Sequence, residues 1–399
     1  MAPVVIVGAG LAGWTTAREL RKLDPATPVL LITADSGDFY AKPTLSNAFA
    51  QQRSPAALVS TPGAKMAETL NITLRPHTRV TAIDPVAQTV TTRAGLQPFR
   101  DLVLATGAQP IRVPVAGEAA GQVLSVNSLD DFSVFHARVA GTDSSQNNSK
   151  HILVMGAGLI GCEFANDLVG SGFRVSVVAP VDRPLAALLP PPASSLLREA
   201  LAGLGVAWHL GTTVQAVNPG PAGAPAALVV TLADGSSVHA DTVLSAIGLR
   251  ADTALAQAAG LACERGIVVD AALQTSAAHV WALGDGAQYA AAGSRTWPGQ
   301  TAQGLTLPFV MPLMNAARAM AATLAGQRTE LVFPLMPVAV KTPALPLVVA
   351  PPAPGVAGEW IGPEPGIWQF MGTDGRQHGF VLAGGQTARR MEQAKRVAA

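Results

Sequence analysis

The sequence is poor in cysteine. Its 399 residues include two cysteines, Cys162 and Cys263, and neither belongs to a CxxC pair or to a His/Cys cluster. A disulfide framework and a zinc site are therefore not indicated. Two isolated thiols favour a reducing, cytoplasmic compartment.

The sequence is also poor in charge and in long apolar runs. Charged residues make up 13%, and 27 Lys and Arg against 26 Asp and Glu leave a net charge of +1, so no nucleic-acid partner is indicated. Mean hydropathy is +0.32, yet no uninterrupted apolar run approaches the roughly 18–20 residues of a transmembrane segment. The apolar opening at residues 1–11 lacks a basic region, so it predicts a buried strand rather than a signal peptide.

One pattern occurs twice. Residues 4–13 read VVIVGAGLAG and residues 152–161 read ILVMGAGLIG, each an apolar run that leads into G-x-G-x-x-G. A helix-like stretch follows each copy, at residues 14–23 and 162–171, and then a second apolar run, at residues 29–33 and 175–179. Two copies at βαβ spacing predict two dinucleotide-binding folds.

The glycines of this pattern have separate physical roles. The first makes the tight turn, the second lets the backbone approach a pyrophosphate, and the third lets the helix pack close to the strand. The helix N-terminus then offers free N–H groups to the phosphate charge. One copy alone is also compatible with a simple packing turn, but two copies indicate two nucleotides, one of which could be a fixed cofactor.

The acidic residue that usually binds the nucleotide ribose is missing from its usual place in both copies. Thr33 and Ala179 stand there. In the first copy Asp35 could serve from the loop, and in the second Asp182 and Arg183 are close. A single arginine is thin support for a 2′-phosphate, so NADH is favoured over NADPH.

Further apolar runs end in small residues, as a chain passing beneath a cofactor would. They lie at residues 102–107 and 242–248, and each is also compatible with a generic buried strand. Residues 275–285 run from an apolar strand into Gly284 and Asp285. The Asp285 carboxylate could bind a flavin ribityl chain, the alternative being a helix N-cap.

Four motifs carry a family resemblance: GAGLAG at 8–13, ATG at 105–107, GAGLIGCE at 156–163 and ALGD at 282–285. Together they resemble the FAD- and pyridine-nucleotide-dependent reductases of the glutathione reductase fold. The resemblance implies an α/β chain with two Rossmann-like domains, for FAD and NAD, plus a C-terminal α+β domain. We expect the FAD-binding domain at 1–114 and 241–326, the NAD(P)H-binding domain at 115–240 and the C-terminal domain at 327–399.

Finer motifs resemble the bacterial rubredoxin–NAD(+) reductases. They are YAKPTLSN at 40–47, GAGLIGCEFAND at 156–167, FVMPLM at 309–314 and PVAVKTP at 337–343. The resemblance implies electron transfer from NADH through FAD to rubredoxin, an acidic iron–sulfur protein bound transiently, often for alkane hydroxylation. A ferredoxin reductase of an oxygenase system is the nearest alternative. A flavin-bearing interaction protein that NADH switches without turnover is an alternative of another class.

The sequence also departs from related enzymes. Disulfide reductases of this fold need a CxxC beside the flavin, and none is present, so the resemblance implies that the flavin itself converts hydride transfer into one-electron steps. NADH peroxidases and oxidases carry a redox cysteine where this chain has Asn47. Residues 141–149, 219–225 and 290–304 look like loop insertions relative to the family.

The resemblance also implies roles for single residues. We expect Lys42 near the isoalloxazine, where a cation favours the anionic reduced flavin, and Glu163 facing the nicotinamide. Lys341 could reach the flavin from the C-terminal domain, and Pro312 fits the start of a helix at 313–325 whose dipole points at the flavin. The alternatives are a surface lysine, a carboxylate stabilised by the helix N-terminus, and a snorkelling or partner-facing lysine.

With these residues, the predicted cofactor-binding set is complete. We expect Lys42 and Glu163 to act in catalysis and expect no metal ligand, and the cofactor-binding residues are Gly8, Gly10, Leu11, Ala12, Gly13, Thr33, Asp35, Lys42, Pro43, Val80, Ala105, Thr106, Gly107, Gly156, Gly158, Leu159, Ile160, Gly161, Glu163, Ala179, Ile247, Gly248, Gly284, Asp285, Pro312 and Lys341.

Overall fold

A computed structural model describes residues 2–139, 150–221, 226–289, 304, 306–353 and 355–398. The predicted insertion at 141–149 lies outside the described residues. Of the other two, only residues 219–221 and Gly304 are described.

The helices follow the apolar periodicity of the sequence. They are α1 Leu11–Leu23, α2 Pro55–Leu58, α3 Gly63–Thr69, α4 Leu129–Val139, α5 Leu159–Gly170, α6 Pro191–Gly203, α7 Ala254–Ala258, α8 Val310–Leu324 and α9 Arg390–Arg396. Short 3₁₀ helices cover Lys42–Asn47, Ala120–Gln122, Gly284–Gly286 and Gly384–Arg389.

The strands are mostly short, and several are apolar throughout. They are β1 Val4–Val7, β2 Val29–Ile32, β3 Thr73–Arg75, β4 Ala82–Asp84, β5 Thr89–Thr92, β6 Gly95–Pro98, β7 Asp101–Leu104, β8 Ala108–Pro110, β9 Leu124–Ser125, β10 His151–Met155, β11 Arg174–Ala179, β12 Val206–Leu210, β13 Val214–Pro219, β14 Leu228–Leu232, β15 Ser237–Ala240, β16 Thr242–Ser245, β17 Leu249–Ala251, β18 Ile267–Val269, β19 Val280–Ala282, β20 Ala287–Tyr289, β21 Val338–Val340, β22 Leu347–Ala350, β23 Gly358–Glu364, β24 Ile367–Gly372 and β25 Gln377–Ala383.

The chain divides into two compact units. The first contains Met1–Ala41, Val59–Gln109 and Arg250–Met336, and the second contains Lys42–Leu58, Pro110–Leu249 and Pro337–Ala399.

A parallel five-stranded sheet organises the first unit, with strand order β19-β7-β1-β2-β3. All four residues of β1 are buried, as expected for a parallel strand covered on both faces. The crossover from β1 to β2 is α1, so the first glycine turn lies at the carboxyl end of the central strand. Strands β4, β5 and β6 add an antiparallel meander.

The second unit repeats this arrangement. Its parallel sheet has the order β12-β11-β10-β16-β9, and α5 connects β10 to β11. Strand β10 is central in this order and ends at Met155, directly before Gly156, so the second glycine turn again follows the central strand. Strands β13, β14 and β15 form an antiparallel sheet, and its buried Val217 and Val230 belong to an apolar cluster with Leu153 and Val243 of the parallel sheet.

The C-terminal part of the second unit is an antiparallel sheet with the order β21-β22-β25-β24-β23, followed by α9. Phe380, Val381 and Leu382 of β25 are fully buried. The two parallel sheets and this sheet confirm the predicted α/β class with a C-terminal α+β part.

The compact units differ from the expected segments at several boundaries. The FAD-binding domain was expected to resume at residue 241. Strand β16 instead pairs in parallel with β10, and the chain re-enters the first unit at Arg250. The buried strand Thr242–Ser245 needs a partner on each side, and β10 and β9 supply them. Residues 42–58 and 337–399 also belong to the second unit.

Three helices begin slightly earlier than expected. Helices α1 and α5 start at Leu11 and Leu159, directly after the second glycine of each turn. Helix α8 starts at Val310, so Pro312 is its third residue, within the first turn, where a missing N–H costs nothing. Across the described residues, no helix has the length and apolarity to cross a membrane, and no cluster of His, Cys, Asp and Glu has a metal-binding arrangement.

Candidate functional site

The first glycine turn brings the N-terminus of α1 to the carboxyl ends of β1 and β7. Gly8 has φ +108°, and a Cβ there would lie 2.2 Å from the Ala105 carbonyl oxygen. A Cβ on Gly13 would lie 1.9 Å from the Gly8 carbonyl oxygen. Because both clashes involve backbone atoms, only glycine permits this approach of helix and strands.

The middle glycine of this turn faces open space. A Cβ on Gly10 would meet no described heavy atom within 4 Å. Gly10 is also the N-cap of α1, and no side chain of the described residues caps the helix there. The first N–H groups of α1, next to Leu11 and Ala12, are thus available to an anion, which fits a pyrophosphate.

The carboxylate of Asp35 is held at the carboxyl end of β2. Thr33 donates its hydroxyl to Asp35 Oδ1 (2.6 Å), and the Gly37 N–H donates to the same oxygen (3.0 Å). Asp35 itself is exposed. The Thr78 N–H donates to the Thr33 carbonyl, and Val80, two residues further along the chain, is buried. This geometry fits a ribose-binding carboxylate on the loop, as the sequence predicts for Asp35.

The Gly284-Asp285 turn approaches the same helix start. Gly284 has φ +80°, and its Cβ would lie 3.0 Å from Ala12 Cβ. Its N–H donates to the Tyr289 hydroxyl (2.8 Å), a fully buried group whose burial raises the pKa of Tyr289. Thr106 donates its hydroxyl to the Asp252 carbonyl (3.0 Å).

A large part of the predicted set belongs to the first unit. Its members there are Gly8, Gly10, Leu11, Ala12, Gly13, Thr33, Asp35, Val80, Ala105, Thr106, Gly107, Gly284, Asp285 and Pro312.

The second glycine turn has the same construction. Gly156 has φ +107°, with a Cβ position 2.6 Å from the Ala246 carbonyl oxygen, and a Cβ on Gly161 would lie 2.0 Å from the Gly156 carbonyl oxygen. Gly158 caps α5 without a side-chain hydrogen bond from the described residues, and its Cβ would meet no described atom within 4 Å. The start of α5 therefore fits a pyrophosphate in the same way as the start of α1 does.

The other predicted residues of this turn lie in the second unit as well. Leu159 and Ile160 begin α5, Ala179 is buried at the end of β11, and Ile247 and Gly248 follow β16.

The Asp182 carboxylate lies beyond β11, where Arg183 Nη1 donates to it (2.9 Å). Arg183 Nε is buried and has no hydrogen-bond partner among the described residues. The Asp182 carboxylate therefore compensates part of the positive charge of the Arg183 guanidinium.

The carboxylate of Glu163 lies at the centre of a hydrogen-bond cluster in the second unit. Ser46 donates its hydroxyl to Glu163 Oε2 (2.6 Å), and the Lys341 backbone N–H donates to Oε1 (2.9 Å). The Lys341 ammonium contacts Oε2 and donates to Ser46 Oγ at 3.0 Å. The Glu163 side chain is fully buried, whereas that of Lys341 is 30% exposed. A buried carboxylate is tolerated when it is paired and hydrogen-bonded, and both conditions are met here.

Two further polar residues extend this face of α5. Asn166 Oδ1 accepts the Ala344 N–H (3.0 Å). The Asp167 carboxylate accepts the N–H groups of Phe49 (3.0 Å) and Ala50 (2.8 Å). Both side chains are buried, and burial raises the pKa of Asp167 to about 6, although these two bonds and the Lys341 charge oppose the rise.

The remaining predicted residues of the second unit are placed as follows. Lys42 and Pro43 open the 3₁₀ helix Lys42–Asn47, four residues before Ser46, and both are half-buried. Cys162 is fully buried, its thiol donates to the Ala157 carbonyl (3.4 Å), and burial raises the pKa of Cys162 to about 12. This thiol is a core group, because the thiolate needed for reactivity is disfavoured.

Sequence reasoning missed Ser46, Asn166 and Asp167. The available signal was the spacing of Glu163, Asn166 and Asp167, which places three polar side chains on one face of an otherwise apolar helix. A buried polar face predicts backbone partners from other segments. Which segments supply them depends on tertiary structure.

Two family models match the chain. Residues 2–319 match the model described as pyridine nucleotide-disulphide oxidoreductase. Residues 330–397 match the model described as rubredoxin binding C-terminal domain, which covers the antiparallel sheet and α9.

Curated relatives extend over the whole chain. A rubredoxin-NAD(+) reductase of Alcanivorax borkumensis is 43% identical over 100% of this chain and 99% of its own length. A nitric oxide reductase FlRd-NAD(+) reductase of Aeromonas salmonicida is 40% identical over 96% of this chain and 93% of its own.

Solved structures share the fold. The reductase in a covalent putidaredoxin reductase-putidaredoxin complex is 26% identical, with a TM-score of 0.84 over 99% of this chain and 93% of its own. A ferredoxin reductase of the CYP199A2 system from Rhodopseudomonas palustris has a TM-score of 0.85 at 24% identity, over 100% of this chain and 96% of its own, which shows the fold alone.

Proposed function

Since the chain belongs to the pyridine nucleotide-disulphide oxidoreductase family, we propose that it is an enzyme that carries electrons from NADH through FAD to rubredoxin. The observation that carries this proposal is the match of residues 330–397 to a rubredoxin-binding domain, on a chain 43% identical to a rubredoxin-NAD(+) reductase over its full length. A glutathione reductase-like fold with two glycine turns that each fit a pyrophosphate suits this transfer.

We assign FAD to the first glycine turn and NADH to the second. Bound FAD would supply the redox chemistry, namely acceptance of a hydride from NADH and release of single electrons. Gly10 and the N-terminus of α1 would hold its pyrophosphate, with Asp35 and Asp285 near its ribose and ribityl groups. Gly158 and the N-terminus of α5 would hold the nicotinamide dinucleotide, with Glu163 facing its nicotinamide. Lys42 would place positive charge beside the flavin.

Rubredoxin is the acceptor that the relatives favour over a ferredoxin. The ferredoxin and putidaredoxin reductases match at 24% and 26% identity, well below the 43% of the rubredoxin-NAD(+) reductase. A weak, transient interface suffices for an electron-transfer partner, so a small docking area is expected.

We propose NADH rather than NADPH as the donor. Asp182 accepts a hydrogen bond from Arg183, so a 2′-phosphate approaching this guanidinium would also meet a carboxylate. Repulsion between the two anions disfavours NADPH.

We further propose that the electrons serve an alkane hydroxylase or a similar chain, and that the protein works in the cytoplasm. The motifs at 40–47 and 337–343 support the first proposal through their resemblance to bacterial rubredoxin–NAD(+) reductases. The buried thiol of Cys162 and the half-buried thiol of Cys263, both free, suit a reducing compartment.

Anaerobic stopped-flow absorbance tests the function. The purified flavoprotein is mixed with stoichiometric NADH or NADPH and then with oxidised rubredoxin or a ferredoxin. We expect fast bleaching of the flavin by NADH and fast return of its colour with rubredoxin. Faster reoxidation by ferredoxin would assign the protein to an oxygenase system, and reduction without reoxidation by either would favour an NADH-switched interaction protein.

A further inference from the structure

Three distant parts of the sequence meet at the Glu163 carboxylate. Ser46 and Lys341 are 117 and 178 residues away from Glu163, and all three belong to the second unit. Their contacts form a closed ring, because the Lys341 ammonium reaches both Ser46 Oγ and Glu163 Oε2, and Ser46 Oγ donates to that same oxygen. Hydrogen bonds from Ser46 and Lys341 therefore fix the orientation of both oxygens of the Glu163 carboxylate.

The backbone around Lys341 is fixed as firmly as its side chain. The Lys341 N–H donates to Glu163 Oε1 (2.9 Å), and three residues later the Ala344 N–H donates to Asn166 Oδ1 (3.0 Å). One face of α5 thus binds the turn after β21 at two points. The backbone that carries the Lys341 side chain is therefore held in place next to Glu163, which is not the case for a lysine on a free surface loop.

The segment that supplies Lys341 belongs to the C-terminal domain. Residues 330–397 match a rubredoxin-binding domain, and Lys341 follows directly after β21 of its sheet. Glu163 lies two residues after the last glycine of the second turn, on the helix that would bind the nicotinamide dinucleotide. The ion pair therefore joins the acceptor-binding domain to the donor-binding helix.

We propose that Lys341 is a positioning residue for Glu163, through which the C-terminal domain takes part in reduction by NADH as well as in rubredoxin binding. The proposal rests on the proposed function, in which Glu163 faces the nicotinamide. Lys341 places its ammonium against Oε2 and fixes the direction of that oxygen. Without this contact the carboxylate keeps the Ser46 and backbone bonds but loses a cation at hydrogen-bond distance.

Reduction of the FAD-loaded protein by NADH, before any rubredoxin is added, is the kinetic test. We expect Lys341→Met to lower the limiting rate of flavin bleaching at least tenfold, with the half-saturating NADH concentration changed less than threefold. Lys341→Arg keeps a cation and should recover most of that loss. Lys395→Met removes an exposed lysine of α9 in the same domain and should stay within twofold of the unsubstituted protein.

A thermodynamic cycle provides a readout that does not depend on turnover. Thermal unfolding of the holoprotein is measured for Lys341→Met, Glu163→Gln and the double variant. We expect the double variant to unfold at a higher temperature than Lys341→Met, because a neutral amide no longer needs the cation. Strictly additive shifts would overturn the ion-pair role.

The outcomes separate the two proposals. If the unsubstituted protein is not reduced by NADH, the proposed function fails. If it is reduced and passes electrons to rubredoxin, but Lys341→Met behaves like Lys395→Met, only the positioning role fails. Equal losses in Lys341→Met and Lys341→Arg would assign Lys341 a packing role and also overturn it.

Discussion

The two glycine turns share a backbone, but the helices that follow them differ in charge. Gly8 and Gly156 have φ of +108° and +107°, and the third glycine of each turn lies against the carbonyl of the first. Two residues after that third glycine, α1 has Thr15 and α5 has Glu163, and both side chains are buried. The glycines thus determine the backbone of the turn, whereas the side chains of the following helical turns differ between the two helices.

The difference continues along both helices. The Thr15 hydroxyl contacts the sulfur of Met314 (3.8 Å), whereas Glu163 is bonded to Ser46 and Lys341. Six residues after the third glycine, Glu19 pairs with the exposed Lys22 (2.8 Å), while Asp167 is buried. In the proposed function the helix with the buried hydroxyl holds a bound cofactor, and the helix with the buried carboxylates lies beside the nicotinamide.

Alanine substitution of the third glycine in each turn should give the largest difference between the two turns, in FAD content and in reduction by NADH. Gly13→Ala places a methyl group 1.9 Å from a backbone oxygen of the first turn, so we expect the purified protein to lose more than nine-tenths of its FAD absorbance. Gly161→Ala makes the matching clash at 2.0 Å, and we expect FAD to stay bound while reduction by NADH slows more than a hundredfold. Flavin content and stopped-flow reduction measure both.

Gly170→Ala is the control for these substitutions. Its Cβ would meet no described atom within 4 Å, so flavin content and reduction should be unchanged. Loss of FAD in Gly161→Ala as well as in Gly13→Ala would remove the assignment of one nucleotide to each turn.

The buried side chains two residues further on give the second comparison. Glu163→Gln should slow flavin reduction by NADH at least tenfold with FAD still bound, because the carboxylate proposed to face the nicotinamide becomes neutral. Thr15→Val removes a hydroxyl bonded only weakly to a sulfur among the described contacts, so reduction should stay within twofold. Unchanged reduction kinetics in Glu163→Gln would contradict the role of this residue.

The repeated turns and their strands were predictable because local chemistry determines them. Apolar β-branched residues before G-x-G-x-x-G specify a buried strand and a tight turn wherever they occur, and both copies formed at the expected places. The C-terminal α+β part was expected from the family resemblance, and it forms as an antiparallel sheet followed by α9.

The Glu163 cluster was only partly predictable. Glu163 could be singled out from the residues next to the turn, but its partners Ser46 and Lys341 are brought to it by tertiary structure. The same cause explains the boundary at Arg250, because the pairing of β16 with β10 is a contact between segments about 90 residues apart, as the bond from His151 N–H to Asp241 shows. Local propensity contains no information about such long-range pairs.

The last expected effect concerns stability, at the matched positions Asp167 and Glu19. Burial raises the pKa of Asp167 to about 6, against about 3.9 in an unfolded chain. The folded state therefore binds the extra proton, so the stabilisation is complete below about pH 4 and is lost as the pH rises to about 6, a change of about 3 kcal/mol in the free energy of unfolding.

Asp167→Asn should abolish this pH dependence, because the side chain no longer titrates. Urea unfolding at pH values between 4 and 7 measures it, with Glu19→Gln as the control. Since Glu19 pairs with an exposed lysine, its removal should change the free energy of unfolding by less than about 1 kcal/mol. An unfolding free energy of Asp167→Asn that still falls between pH 4 and pH 6 would place the responsible proton on another group, and the contrast between the two helix faces would then rest on Glu163 alone.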